Sequence, residues 1–209
     1  MIRIRRPGES TKGFRALLGI EEIHLAPGET IPVHEHHDVE IITIVLEGSV
    51  GHQDAFNNGT IIFPGDIHRA TAGRGISHEE FNNSADQPAH YVQIMIRPEG
   101  DGLIPGYEQR MFIDEEAAGR WLPLASRDGA GDTVTIHQDA TIFIAMPDAG
   151  DVLDCAFAAG RRGYLRLLRG AIRLNGERLA AGDAVEIEDE RDLPLAADEP
   201  SILLLLDLP

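Results

Sequence analysis

The stretch His34-Glu35-His36-His37-Asp38-Val39-Glu40-Ile41-Ile42-Thr43-Ile44-Val45-Leu46-Glu47-Gly48 decides how the rest of the chain is read. Ile41 to Leu46 is dense in β-branched and aliphatic residues and reads as a buried strand that Gly48 ends. The residues before it also read as extended chain, in which side chains two apart share a face. His34 and His36 therefore point one way, and Glu35 and His37 the other. Further along, His78-Glu79-Glu80 repeats the spacing, with His78 and Glu80 on one face and Glu79 on the opposite one. If the two strands meet across a sheet, three imidazoles and one carboxylate converge. That set suits a divalent transition metal, since imidazole accepts Fe, Mn, Ni, Cu, Co or Zn and carboxylate favours harder ions. Four protein ligands on an octahedral ion leave two positions open, as a catalytic metal requires.

The segment between the pairs has the grammar of an antiparallel β-barrel. Ser49 to Asp54 begins a return, and Asn58-Gly59 is a strong type I′ hairpin signal. Thr60 to Phe63 is a further strand, closed by Pro64-Gly65-Asp66, and Ala72-Gly73-Arg74-Gly75 turns into the strand carrying His78. Upstream, Arg3, Arg5 and Arg6 read as a charged edge, and Ile20 to Ala26 as a strand that Pro27-Gly28 turns toward the histidines. Tyr91 to Ile96 and Gln109 to Ile113 complete the unit.

From Thr133 the pattern resumes. Tyr164 to Gly170, Asn175-Gly176 and Ala181-Gly182-Asp183 repeat the layout of 41–66, which reads as an internal duplication. The expected architecture is all-β, with two antiparallel β-barrels in one chain. A metal-binding barrel spans 1–113, a connection spans 114–132 with Trp121 packed down, and a degenerate barrel spans 133–209. The second barrel carries no His-x-His, and Gly160-Arg161-Arg162-Gly163 falls near where ligands would sit, so it is expected to hold no metal.

The ordered series His34 to Gly48, His52-Gln53-Asp54, Pro64-Gly65-Asp66, Ala72-Gly73-x-Gly75-Ile76-x-His78-x-Glu80 and Asn82 resembles the pirin family, two-barrel members of the cupin superfamily. The resemblance implies one divalent metal, usually Fe(II), on His34, His36, His78 and Glu80 of the first barrel. It is similar to the bacterial pirin-like quercetin 2,3-dioxygenases, which implies an enzyme acting on a flavonol-like aromatic substrate and O₂, with Glu80 as ligand and catalytic base. The alternative it implies is a non-enzymatic, redox-sensitive iron-binding regulator acting through a protein partner. The rim departs from the family, with Glu29-Thr30-Ile31-Pro32-Val33 and Glu35 in place of a glycine-rich run and a proline.

Composition sets the bounds. The 209 residues carry 18 Lys and Arg against 35 Asp and Glu, a net charge of −17 with one lysine, Lys12, which argues against direct nucleic-acid binding. The single cysteine, Cys155, excludes an internal disulfide framework and reads as a buried small hydrophobe. Ile202 to Leu206, as long as any apolar run in the chain, is too short for a membrane span, and the opening residues lack a signal-peptide core. The expected location is cytoplasmic.

Other polar residues compete for roles. His68, in Pro64-Gly65-Asp66-Ile67-His68, matches the ligand position of many single-barrel cupins; beside the pirin spacing it is expected near the cavity or simply on the surface instead. Glu40 shares the face of His34 and His36 if the strand is regular, and a buried carboxylate needs a hydrogen-bond partner. His52 and Asp54 are expected to stabilise the hairpin, and His24, His90 and His137 to be ordinary strand residues.

Overall fold

The computed structural model describes residues 1–8, 13–55, 58–190 and 192–209. The strands, in chain order, are β1 (Ile2–Arg5), β2 (Leu17–Leu25), β3 (Thr30–His36), β4 (Glu40–Glu47), β5 (Val50–Asp54), β6 (Gly59–Ile62), β7 (Asp66–Thr71), β8 (Ile76–Asn82), β9 (Ala89–Ile96) and β10 (Gly106–Met111). After a short helix α1 (Asp114–Ala117) come β11 (Leu122–Ser126), β12 (Val134–Thr135), β13 (Thr141–Ala145), β14 (Val152–Ala156) and β15 (Arg162–Arg169). The chain ends with β16 (Ala171–Leu174), β17 (Glu177–Ala180), β18 (Ala184–Glu188), β19 (Asp192–Ala197) and β20 (Ile202–Leu208). No helix among the described residues is long and apolar enough to cross a membrane.

The chain forms two compact units. The first, Ala16–Phe112 with Val134–Gln138, has one sheet in the order β10-β7-β4-β9-β2 and another in the order β3-β8-β5-β6. Leu25, Val45 and Tyr91 from the one sheet and Val50 and Ile62 from the other share a core. The second unit, Met1–Arg15, Ile113–Thr133 and Asp139–Pro209, repeats the plan with β1-β18-β15-β20-β13-β11 and β14-β19-β16-β17. Each unit is therefore of the expected all-β, cupin type, a sandwich of two packed antiparallel sheets that do not close into a barrel.

The domain boundaries also differ from those expected. Ile2 to Arg5 pair with Ile187 to Ala184, so the first residues belong to the second unit. Arg5 bonds Glu186 at 2.9 Å and Arg6 pairs with Asp183, a charged edge whose partners are some 180 positions away. Val134–Gln138 joins the first unit instead of the second. The 114–132 connection contains α1 and β11, and Trp121 packs against the second core with its indole N–H donating to the Asp154 carbonyl at 3.0 Å.

The Asn58-Gly59 expectation fails locally. Gly59 pairs with Gln53 inside the β5–β6 ladder and has no positive φ, while the Asp54 carboxylate accepts from Asn58 N and Nδ2, both at 2.8 Å. The loop is wider than a two-residue turn and runs partly outside the described residues. Asn175-Gly176 does form the tight turn: φ is 51° and 82°, and Leu174 pairs with Glu177.

Candidate metal centre

Strand β3 presents its histidines by alternation: His34 and His36 are half-buried while Pro32, Val33 and Glu35 are exposed. The β3–β8 ladder slips between Ile31 and His34, at the position of Pro32, which has no N–H to give a ladder. Past the bulge His34 lies directly opposite His78, and before it Ile31 lies opposite Glu80. On the other side of β8, β5 sets His52 opposite Glu80 and Asp54 opposite His78. The inner face of this sheet is thus a polar row built by register alone.

Candidate ligand atoms of His34, His36 and His78 all lie within 4.8 Å of one another. His34 Nε2 and His78 Nε2 are 3.0 Å apart. Two nitrogens at right angles around an ion bound at about 2.1 Å would be about 3 Å apart, so the pair fits the edge of a metal's coordination shell. Burial pushes the His78 pKa down to about 3, helped by the neighbouring imidazoles, and lowers that of His36 for the same reasons in the same order. His36 and His78 therefore stay neutral at physiological pH, with lone pairs available to a metal.

Glu80 is 2 % exposed and lies beside the trio without belonging to the set that closes within 4.8 Å. Its Oε2 accepts from the Tyr91 hydroxyl at 2.9 Å and its Oε1 from Gln93 Nε2 at 2.6 Å. Burial raises its pKa, and those two hydrogen bonds and His34 only partly offset the rise. The period of β9 could have flagged Tyr91 and Gln93: they alternate with Val92, and a buried tyrosine hydroxyl needs a partner. As expected of their strand faces, His37 and Glu35 turn outward, at 61 % and 73 % side-chain exposure.

Three further residues depart from their sequence reading. Glu40 does not share a site with His34 and His36, because Asp38 adopts φ 50° and breaks the strand between them. Fully buried, Glu40 accepts from Thr71 Oγ1 at 3.0 Å and pairs with His137 Nδ1 at 2.9 Å, so His137 is not an ordinary strand residue. His52 does more than shape a hairpin, since its Nε2 lies 2.5 Å from His78 Nδ1. Asp54 does hold the hairpin, binding Asn58 and the Tyr107 hydroxyl. His24 and His90 stack on each other with ring centroids 4.0 Å apart.

His68 lies where its competing reading as a ligand was to be decided. Its ring is 5.1 Å from that of His52 and stacks on Tyr107, lining a cavity of about 150 Å³ with Thr60 and Gln109. Both ring nitrogens are buried without a partner in hydrogen-bond geometry, and burial lowers the pKa to about 3. The cavity is behind His52, not among the three clustered histidines.

Comparison with known proteins identifies the family of the chain. Residues 10–96 match the family model described as Pirin, and residues 123–208 match that of the quercetinase C-terminal cupin domain. The quercetin 2,3-dioxygenase of Escherichia coli K12 is 36% identical over 199 residues, covering 94% of this chain and 84% of that one. A pirin-like protein of Caulobacter vibrioides is 35% identical over 185 residues, 88% of this chain and 79% of that one. Among solved structures, the Escherichia coli pirin YhhW in complex with nickel(II) superimposes with a TM-score of 0.91 at 31% identity, covering 100% of this chain and 99% of that one. With both halves matched and most of each relative covered, the chain belongs to the pirin family of two-unit cupins.

Proposed function

We propose that this protein is a metal-dependent dioxygenase of the quercetinase kind, which cleaves a flavonol with O₂ at the histidine face of the first unit. In this reading His34, His36, His78 and Glu80 are the ligands of one Fe(II) ion. The observation that carries it is the closure of three imidazoles around one point beside a buried carboxylate. The names of the relatives support the substrate class. A bound divalent ion would supply Lewis acidity toward a flavonol hydroxyl and open positions for substrate and O₂.

The chain's own part is proton handling and orientation. A flavonol hydroxyl must lose its proton, and a carboxylate whose pKa burial has raised is a better base near neutral pH. Tyr91 and Gln93 hold both Glu80 oxygens and so fix the direction of the carboxylate. Burial and the neighbouring Glu80 carboxylate raise the Tyr91 pKa, so its hydroxyl stays protonated and remains a donor.

The test is Glu80→Gln in metal-loaded protein. An amide can still offer an oxygen to a metal but cannot take the proton, and loss of a positioned base costs ~10²–10⁴-fold in rate. Oxygen uptake and loss of flavonol absorbance should both fall by that factor while metal remains. Full activity with metal retained contradicts the base role. If the iron-, manganese- and nickel-loaded proteins all leave quercetin untouched, the enzyme reading yields to the iron-binding regulator acting through protein partners.

A further inference from the structure

A histidine that gives one ring nitrogen to a metal has a second nitrogen, and the group holding it fixes the tautomer and rotation of the ring. His34 Nδ1 lies 2.9 Å from the Pro32 carbonyl. A carbonyl only accepts, so the His34 proton sits on Nδ1 and Nε2 is left with its lone pair. His78 is held differently. Its Nδ1 meets the Nε2 of His52 at 2.5 Å, and His52 is 3 % exposed.

Two imidazole nitrogens at that distance share one proton. If His52 donated it, the His78 proton would sit on Nε2, aimed at His34 Nε2 only 3.0 Å away. That arrangement removes the lone pair at the point where the three rings converge. If His78 donates, its Nε2 is free and the trio is complete. The sheet register supports a fixed partnership: His52 and His78 are one diagonal step apart on neighbouring strands β5 and β8.

We propose that His52 is a positioning residue for the metal centre: it accepts the Nδ1–H of His78, locks that ring in its metal-binding tautomer and sets its rotation. The proposal rests on the metal reading above. An imidazole acceptor also differs from the carbonyl that serves His34, because its own ring lines the cavity shared with His68 and Tyr107. One ligand is therefore oriented by the backbone of its own strand, and another by a side chain from the next strand.

The experiment uses the full chain loaded with Co(II) and proton NMR in water. Histidines bound through Nε2 show their Nδ1–H as hyperfine-shifted resonances that vanish in D₂O. In the unaltered protein the His78 resonance should exchange slowly. His52→Leu should broaden or remove that one resonance, keep those of His34 and His36, and weaken cobalt binding ~10–100-fold, the usual effect of losing a ligand's hydrogen-bond partner. His52→Gln, whose amide oxygen can accept, should restore the resonance and most of the affinity. If the leucine variant does not fold, His52→Asn, with an amide too short to reach His78, replaces it as the broken acceptor. A role in packing alone would lower stability without singling out one N–H resonance. Retention of every resonance with cobalt affinity unchanged in His52→Leu overturns the proposal and leaves the metal centre standing. Failure of the unaltered protein to bind cobalt overturns both.

Discussion

The two units share one plan down to their turns, and differ in what the plan encloses. Strand β4 ends at Gly48 and β15 at Gly170, both at positive φ, 75° and 88°. A Cβ at either would lie 2.4 Å from a proline carbonyl, that of Pro88 in one unit and Pro200 in the other. Asp66 Oδ2 accepts from Phe63 N, and Asp183 Oδ2 from Ala180 N, in the same turn. Following the ladders out from these turns, His78 pairs with His34 where Leu193 pairs with Cys155. Glu80 pairs with His52 where Leu195 pairs with Leu174. Leu153, Cys155, Leu174, Leu193 and Leu195 all belong to one apolar core. The frame is carried by turns and strand ends, and the chemistry by a few inward positions that either unit could fill with polar or apolar residues. Gly160 to Gly163, expected near where ligands would sit, lead into β15 and form its first two residues; the counterparts of the ligands are on β14 and β19.

The contrast breaks most visibly at the ligands. His78→Ala should weaken metal binding more than ~100-fold, since losing a ligand costs more than losing a ligand's partner. His68→Ala should leave metal content unchanged, because that ring is behind His52. Elemental analysis showing the opposite order would move the site to the Pro64–His68 turn.

The shared frame is tested by Gly48→Ala and Gly170→Ala. Each should cost at least ~1–3 kcal/mol, the strain of a side chain at positive φ, before the carbonyl clash is added. Urea unfolding of both variants checks this, and a cost in one with none in the other would end the equivalence of the two strand ends.

A smaller effect separates the interiors by pH. His68 titrates near 6.5 when unfolded and near 3 when folded. Between those values the unfolded chain holds a proton that the folded chain does not, so stability falls as pH drops from 6.5 toward 3. Metal-free His68→Phe should therefore lose less stability on acidification, by up to about 2 kcal/mol at about pH 5. Equal acid sensitivity of the two proteins would show that His68 does not titrate as its burial implies.

The smallest expected difference is between the hairpins. Gly176→Ala should cost about 1 kcal/mol at its left-handed position, whereas Gly59→Ala, in a regular strand, should stay within about 0.5 kcal/mol. Equal costs would mean that Gly59 also needs positive φ.

These particulars show what the sequence could carry. Period-two spacing made His34, His36 and His78 legible, because a strand has one side-chain rule and β3 and β8 obey it. Glu40 obeyed the same count without sharing their face, since Asp38 resets the parity in a single residue, but the partner its buried carboxylate needed is there in Thr71. Asn58-Gly59 and Asn175-Gly176 are identical dipeptides, yet Asp54 captures Asn58 and Gly59 enters the β5–β6 ladder. The partnership of His52 with His78 depends on which strands become neighbours. So does the place of residues 2–5, whose partners are at 184–187. No local pattern encodes either.

The central claim is that one unit holds a metal through its inward histidines and the other, with leucine and cysteine at the same ladder positions, does not. The direct measurement is metal content per chain after anaerobic loading with Fe(II) and removal of excess, in the unaltered protein and in the double variant His34→Ala/His36→Ala. The account predicts one metal per chain in the first and near none in the second, with the circular dichroism of a folded β protein in both. Two metals per chain, or one metal retained by the double variant, would contradict it.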